Sequence, residues 1–239
     1  MINGKSVIAI IPARGGSKSI PQKNIIPFAG APLISWTISE AKNSVYVDEV
    51  VVSTDSKEIA DISLEYGAKI PFFRPANLSQ DRSETSDTLL HAINFFEGQK
   101  KFFDILLLLE PTSPIRSKND IDNALKKFSK YLKKSHSLIT IAENHVHPNI
   151  HFYLKDLNHL QRYEKSKIIS RRQDLDKTYS PFGGIYISSV EDFKKNKTFY
   201  TKKTLYYKLG AFQAYEVDEP HDLPSSEAVF LWAKDKRLI

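Results

Sequence analysis

The chain of 239 residues has no cysteine. Disulfides, thiolate nucleophiles and cysteine-ligated zinc are thereby excluded, and a bound metal is expected to be a hard one held through oxygen. It also lacks any apolar run near the roughly 18 residues that a membrane span needs. The opening MINGKS leaves no room for the charged region and apolar core of a signal peptide, so a cytoplasmic location is expected. Repeats, low-complexity tracts and linkers are missing too, which predicts one domain over residues 1–239. A net charge of +6 could suggest nucleic acid. The lysines, however, are spread over helix faces and residues 194–203, and no reader motif accompanies them, so none is expected. A small polyanionic substrate explains part of the excess. His145, His147 and His151 lie close together, but with no partner cysteine and a loop-like setting they predict no zinc site.

What is present is organised around VIAIIPARGGSKSIPQKN, residues 7 to 24. Val7 to Ile11 are apolar at every position, which suits a strand covered on both faces, as in a parallel sheet. Pro12 ends the ladder by removing a backbone donor. Gly15 and Gly16 let the backbone turn tightly and bring N–H groups close to a ligand, and Arg14, Lys18 and Lys23 supply the charge that an oligophosphate needs. The loop fits neither GxGxxG nor GxxxxGK[ST], which argues against a dinucleotide fold and a Walker-type NTPase.

Downstream, Ala31 to Lys42 reads as a helix burying Ile34, Ile38 and Ala41, with Trp36 in the core. Strand signals at 48–55, 69–73, 103–109 and 137–142 alternate with helices after Asp55, around Leu89 to Phe96 and from Ile121 to Leu132. That rhythm predicts an α/β fold with a mostly parallel sheet flanked by helices. The polar loop 74–87 is long enough to suggest function at the ligand edge. From 143 to 180 the pattern breaks down, with short strands at 152–154 and 160–163, and predicts an insertion that leaves the sheet and meets a second subunit. GGIYIS at 183–188 returns to the sheet. Residues 212–218 are expected to form the last strand and 225–238 a closing helix with Ala228, Val229, Leu231 and Trp232 inward. On such a last strand Glu216 and Asp218, two apart, project from one face, where they could share a magnesium ion or form a solvated acidic edge.

The loop IPARGGSKSIPQKN resembles that of the acylneuraminate cytidylyltransferases, the CMP-sialic acid synthetase family, with the CMP-Kdo synthetases opening similarly. FRPANLSQDRSETSD, LLLLEPTSPIR, RRQDL, GGIYIS and YEVDEPHDL extend the resemblance in the family's order over residues 7 to 232, most weakly between 144 and 168. It implies a Rossmann-like nucleotide-diphospho-sugar transferase fold, a homodimer, and transfer from CTP to a nonulosonic acid, an α-keto acid sugar of sialic, legionaminic or pseudaminic type.

The resemblance also implies a site. The Ala13 backbone, Arg74 and Ser83 would hold cytosine and ribose, and Arg14, Gly15, Ser17, Lys18, Lys23 and Asn24 the triphosphate. Glu216 and Asp218 would bind Mg²⁺, although the family has aspartate at both positions and Glu216 is a departure. Arg14, Lys23 and Asp218 would carry the catalytic stabilisation of the leaving pyrophosphate. Glu110 stands where one branch has a glutamine facing the sugar; a carboxylate there donates no hydrogen bond unless protonated. Arg172, or Arg171 if the register slips by one, would face the sugar's carboxylate, and Tyr186, Phe199 and Tyr200 would shape its pocket or pack in the core. Ser180 to Gly184 replaces an Arg-Pro-Asn-Gly-Ala pattern, and a lysine common after a His-Pro pair is missing at Asn149-Ile150. The nucleotide half therefore reads as conventional and the sugar half does not.

Overall fold

A computed structural model describes residues 1–162 and 175–239. After β1 (Val7–Pro12), two short strands, β2 (Pro27–Phe28) and β3 (Ala31–Pro32), form a small antiparallel ladder ahead of α1 (Leu33–Asn43). Then come β4 (Glu49–Ser53), α2 (Lys57–Glu65), α3 (Thr85–Gly98), β5 (Ile105–Leu108), α4 (Asp120–Tyr131) and β6 (Ser137–Glu143). A separate hairpin, β7 (Phe152–Leu154) with β8 (Leu160–Arg162), precedes β9 (Tyr179–Ser189), α5 (Val190–Asn196), β10 (Thr204–Lys208) and α6 (Asp222–Asp235). The main sheet has the order β10-β6-β9-β5-β1-β4. Its neighbours are parallel except at β9, which runs antiparallel to both β5 and β6.

Continuous apolarity in β1 follows from two covers rather than one. Val7, Ala9 and Ile11 point to a layer containing Ile34, Ile38, Ile121, Leu125 and Phe128 of α1 and α4. Ile8 and Ile10 point to the opposite layer, with Leu89, Ile93 and Phe96 of α3 and Phe193 of α5. All five β1 residues are fully buried, and each large apolar side chain so covered is worth roughly 1.5–3 kcal/mol. A third, smaller cluster joins Ile20, Phe28, Leu33, Ile115, Val217 and Phe230 beneath the phosphate-type loop.

Several expectations change. Residues 69–73 make only a single parallel bridge, Val51 to Lys69; Pro71 has no N–H with which to extend a ladder. Residues 212–218 are not a strand: Ala211–Gln213 form a 3-10 turn, and the loop after it bonds back through Val217 N–H to the Thr112 carbonyl at 2.8 Å. The last strand is β10, an edge strand paired with β6, whose lysines and half-exposed tyrosines hid a one-sided pattern inside a basic stretch. Glu216 and Asp218 therefore do not share a strand face. In α6 the buried residues are Ser226, Phe230 and Ala233, with Leu223 and the expected Val229 packed beside Phe230, whereas Ala228, Leu231 and Trp232 are exposed; the helix starts three residues earlier than expected. Trp36 packs on the third cluster as expected but is only half-buried, its ring tilted 57° to that of Phe230 at 4.6 Å. β9 begins at Tyr179, so residues 179–181 pair with 141–143 in the main sheet.

Candidate active site

The carboxyl ends of the parallel strands β1, β4 and β5 open onto one cleft, the edge at which open α/β sheets bind ligands. Its volume is about 370 Å³, and its wall includes Arg14, Lys23, Arg74, Glu110, Glu216 and Asp218. The loop after β1 is pinned before it turns: the Ala13 N–H donates to the Ser53 carbonyl at 2.9 Å, and Gly15 N–H donates to Asp55 Oδ1 at 2.8 Å. A Cβ on Gly15 would sit 3.0 Å from Ser56 Cβ, whereas one on Gly16 would meet nothing within 4 Å. Close approach to Ser56, the N-cap of α2, is thus the demand on Gly15. Asn24 donates to the Arg14 carbonyl at 3.0 Å and fixes the loop's shape.

The three loop cations are all engaged by carboxylates. Asp81, from the polar loop 74–87, bridges Arg14 Nη1 at 2.9 Å and Lys18 Nζ at 2.5 Å. Lys18 chiefly, then Arg14, holds the Asp81 carboxyl below its ordinary range. Lys23 Nζ pairs with Asp218 Oδ1 at 2.9 Å. Lys18 and Ser17 lie on the loop outside the cleft wall, while Lys23, Asn24 and Ser83 line it. Ser83 Oγ–H donates to the Asn77 carbonyl and accepts the Gln80 N–H, tightening its own turn.

Arg74 is no surface ion pair. It is buried at 7% exposure, donates from Nε to Ser53 Oγ at 3.1 Å, and also bonds the Ser53 carbonyl through Nη2. Burial, with the Arg14 charge adding to it against Asp55, pulls its pKa down to about 10, so it remains a cation. It braces the end of β4 against the polar loop 74–87 at the edge of the cleft.

Three carboxyls crowd the far side of the cleft. Glu216 Oε1 accepts from Ser113 Oγ–H at 3.0 Å and Gly183 N–H at 2.9 Å. Glu110 is largely buried; burial first, then the charges of Glu216 and Asp218, push its pKa up to about 7 against the opposing pull of Arg116 and Lys23. Gly183 permits this crowding, since a Cβ there would lie 2.1 Å from Glu110 Oε2 and 2.6 Å from Glu216 Oε1. Arg116, 2% exposed, holds the neighbourhood together by donating to the carbonyls of Gly184 and Glu110 and to Thr37 Oγ1, at 2.9 to 3.0 Å.

Among the described residues no group of three or more His, Cys, Asp or Glu is gathered closely enough to hold a metal alone. The second carboxylate oxygens of Glu216 and Asp218 nevertheless have no hydrogen-bond partner among the described residues. Two hard oxygen donors beside a cationic phosphate-type loop fit magnesium, which keeps several waters and takes its other ligands from substrate phosphates.

A second cavity of about 210 Å³ adjoins the first, and Glu110 and Thr85 line both. Tyr186, Phe193, Phe199 and Tyr200 form its aromatic wall. The Tyr186 and Phe199 ring centroids are 5.4 Å apart, those of Phe193 and Phe199 4.8 Å. Burial, then Glu110 and Tyr200, raises the Tyr186 pKa and keeps its phenol neutral. Tyr186 and Phe199 thus serve the core and the cavity at once, with 8% and 6% exposure, while Tyr200 is more than half exposed. Arg171 and Arg172 lie outside the described residues.

Sequence reasoning missed Asp55, Asp81 and Arg116. Asp81 sat inside the loop 74–87 already singled out, but its pairing with residues more than sixty positions away has no local signal.

The comparisons agree with this geometry. A family model described as cytidylyltransferase matches residues 8–235. The chain is 34% identical over 223 residues to the pseudaminic acid cytidylyltransferase of Campylobacter jejuni, covering 93% of this chain and 95% of that one. It is 34% identical over 222 residues to the CMP-N,N'-diacetyllegionaminic acid synthase of Legionella pneumophila, covering 92% and 94%. An N-acylneuraminate cytidylyltransferase of Streptococcus agalactiae is 33% identical over 217 residues, which is 90% of this chain and 51% of the longer relative. Among solved structures, CMP:2-keto-3-deoxy-manno-octonic acid synthetase complexed with CTP superposes with a TM-score of 0.70 at 18% identity, covering 96% of this chain and 99% of that one. From the family match across nearly its whole length and relatives at one-third identity, this chain belongs to the cytidylyltransferase family.

Proposed function

We propose that this chain transfers the CMP group of CTP to a nonulosonic acid, releasing pyrophosphate. The observation that carries the reading is the pair of adjoining cavities at the strand ends. One is edged by a cationic loop, the other walled by aromatic rings, and Glu110 stands where they meet. A polyanionic nucleotide suits the first and the ring of a sugar acid suits the second. Relatives at one-third identity named for pseudaminic, legionaminic and acylneuraminic acids support the acceptor class.

In the reaction the acceptor's anomeric oxygen attacks the α-phosphorus. A new P–O bond forms as the bond to the β-phosphate oxygen breaks, pyrophosphate departs, and the hydroxyl proton is lost. Arg14, Lys18 and Lys23 exchange their carboxylate partners for phosphate oxygens and gather the charge that develops on the leaving group. Gly15, fixed on Asp55, holds the loop for that approach, and Arg74 keeps the end of β4 in register. The aromatic wall orients the acceptor beside Glu110, and such positioning supplies much of the rate. Glu216 and Asp218 would hold Mg²⁺, whose contribution when bound is to neutralise and orient the phosphates.

No helix among the described residues is long and apolar enough to cross a membrane. Together with the CTP requirement this fits work in the cytoplasm. The hairpin β7–β8 exposes Phe152, Leu154, Leu157 and Leu160, a patch suited to a second copy of the chain; sedimentation showing only monomer at micromolar concentration would remove that assignment.

The function is tested by CTP-dependent pyrophosphate release against pseudaminic, N,N'-diacetyllegionaminic, N-acetylneuraminic and 2-keto-3-deoxy-manno-octonic acids. Turnover with one or more of the first three is expected. Turnover with the last alone would refute the acceptor class, and CTP binding without turnover of any would refute the enzyme.

A further inference from the structure

The aromatic cavity contains one acid and one base. Glu110 stands at its inner end, close to Glu216, and Lys197 lies on its wall beside Thr198, Phe199 and Tyr200. Among the residues lining this cavity Lys197 is the only cation. Its position is set by the end of α5: Lys197 takes a left-handed backbone conformation, φ 53°, with its N–H donating to the Phe193 carbonyl at 2.8 Å. That turn directs the following residues around the cavity. Phe199, two positions on, is anchored through its carbonyl, which accepts from Ser137 Oγ–H at 2.6 Å.

Lys197 is exposed and, like Lys195 on the same helix, holds no carboxylate among the described residues; what sets it apart is its place on the cavity wall. Arg14, Lys18 and Lys23 are each paired with a carboxylate. Lys194, on the same helix, is held by Glu97 at 2.6 Å. The Lys197 ammonium has no hydrogen-bond or ion-pair partner among the described residues. Among the residues that line the cavity, an anion finds its attraction at Lys197 and its repulsion at Glu110. A ligand that carries both a carboxylate and hydroxyls can satisfy Lys197 and Thr198 together while its ring packs on Tyr186 and Phe199.

We propose that Lys197 is an acceptor-binding residue that recognises the carboxylate of the sugar acid from the aromatic side of the site, with Thr198 beside it. The proposal rests on the functional reading above and adds a residue to it. It also gives a cavity that Glu110 lines a cation to meet the charge of an acid.

The test is steady-state kinetics of Lys197→Gln and Lys197→Arg with whichever of the three nine-carbon acids gives the highest kcat/KM. A charged hydrogen bond of ordinary strength predicts a rise of about tenfold to a hundredfold in acceptor KM for the Gln variant. The KM for CTP stays within about twofold, and Lys197→Arg recovers most of the loss. Against the C1 amide of the same acid, wild type and Lys197→Gln bind equally, because the group that Lys197 reads is gone. An unchanged acceptor KM, or a rise shared by the KM for CTP, overturns the proposal. Wild type that turns over none of the acids refutes the functional reading instead. Calorimetric binding of each acid with a non-hydrolysable CTP analogue then still decides Lys197: equal affinity in wild type and variant, or binding to neither, overturns it.

Discussion

Glu110 is the group whose replacement has the most readily computed consequence. Folding takes its carboxyl from an ordinary value near 4.5 up to about 7, so between these pH values the folded chain holds a proton that the unfolded chain has released. Folding stability must then fall as pH rises through that window, because the native state binds more protons than the unfolded one. The whole shift corresponds to about 3 kcal/mol of destabilisation once pH exceeds 7, and to about 1 kcal/mol at pH 5. Glu110→Gln keeps the shape and removes the charge. Urea unfolding in a chelating buffer is therefore expected to show the variant gaining on wild type by about 2 kcal/mol between pH 5 and pH 8, after discounting for relaxation around the site. A gain of equal size at both pH values would mean that packing, not charge, separates the two proteins. A variant less stable than wild type at pH 8 would refute the crowded-carboxylate account. Such a destabilising acid is what a functional site retains against stability, and a divalent cation on Glu216 and Asp218 should narrow the gap between the two proteins.

Two further outcomes follow from the ion pairs. Asp81→Asn frees Arg14 and Lys18 from their shared carboxylate, so CTP should bind severalfold tighter, with a steeper loss of affinity as salt is raised; weaker binding in calorimetry would mean that Asp81 builds the loop rather than competes for it. Asp218→Asn removes one donor of the magnesium pair and the partner of Lys23. Turnover should fall by at least a hundredfold while CTP affinity changes by less than tenfold, since charge stabilisation matters most in the transition state; an unchanged kcat would remove the metal assignment.

What could be read along the chain was whatever local chemistry announces. Val7 to Ile11 declare a doubly covered strand because every side chain in the run is apolar, and Pro12 followed by Gly15, Arg14, Lys18 and Lys23 declare an anion loop because those residue types serve little else in that order. The ordered family blocks carried the reading to CTP and a sugar acid. Local patterns failed where the deciding partner is distant. Residues 212–218 alternate like a strand, but β10 takes the place beside β6 and Val217 N–H bonds instead to the Thr112 carbonyl. Arg74 reads as a ligand-holding residue of the loop 74–87, and its burial against Ser53 shows only once β4 is in place. Asp81 and Arg116 carry no signal of their own, since an ion pair and a buried brace are properties of neighbours.

The sequence by itself thus determined the fold class and the family, both of which depend on residue type and short-range order. Only the tertiary structure decided that Glu216 and Asp218 converge on one cleft without sharing a strand, that Gly183 lets two carboxyls crowd together, and that Lys197 lies on the wall of the aromatic cavity. Those facts depend on distances between elements far apart in the chain, which burial and sheet pairing set.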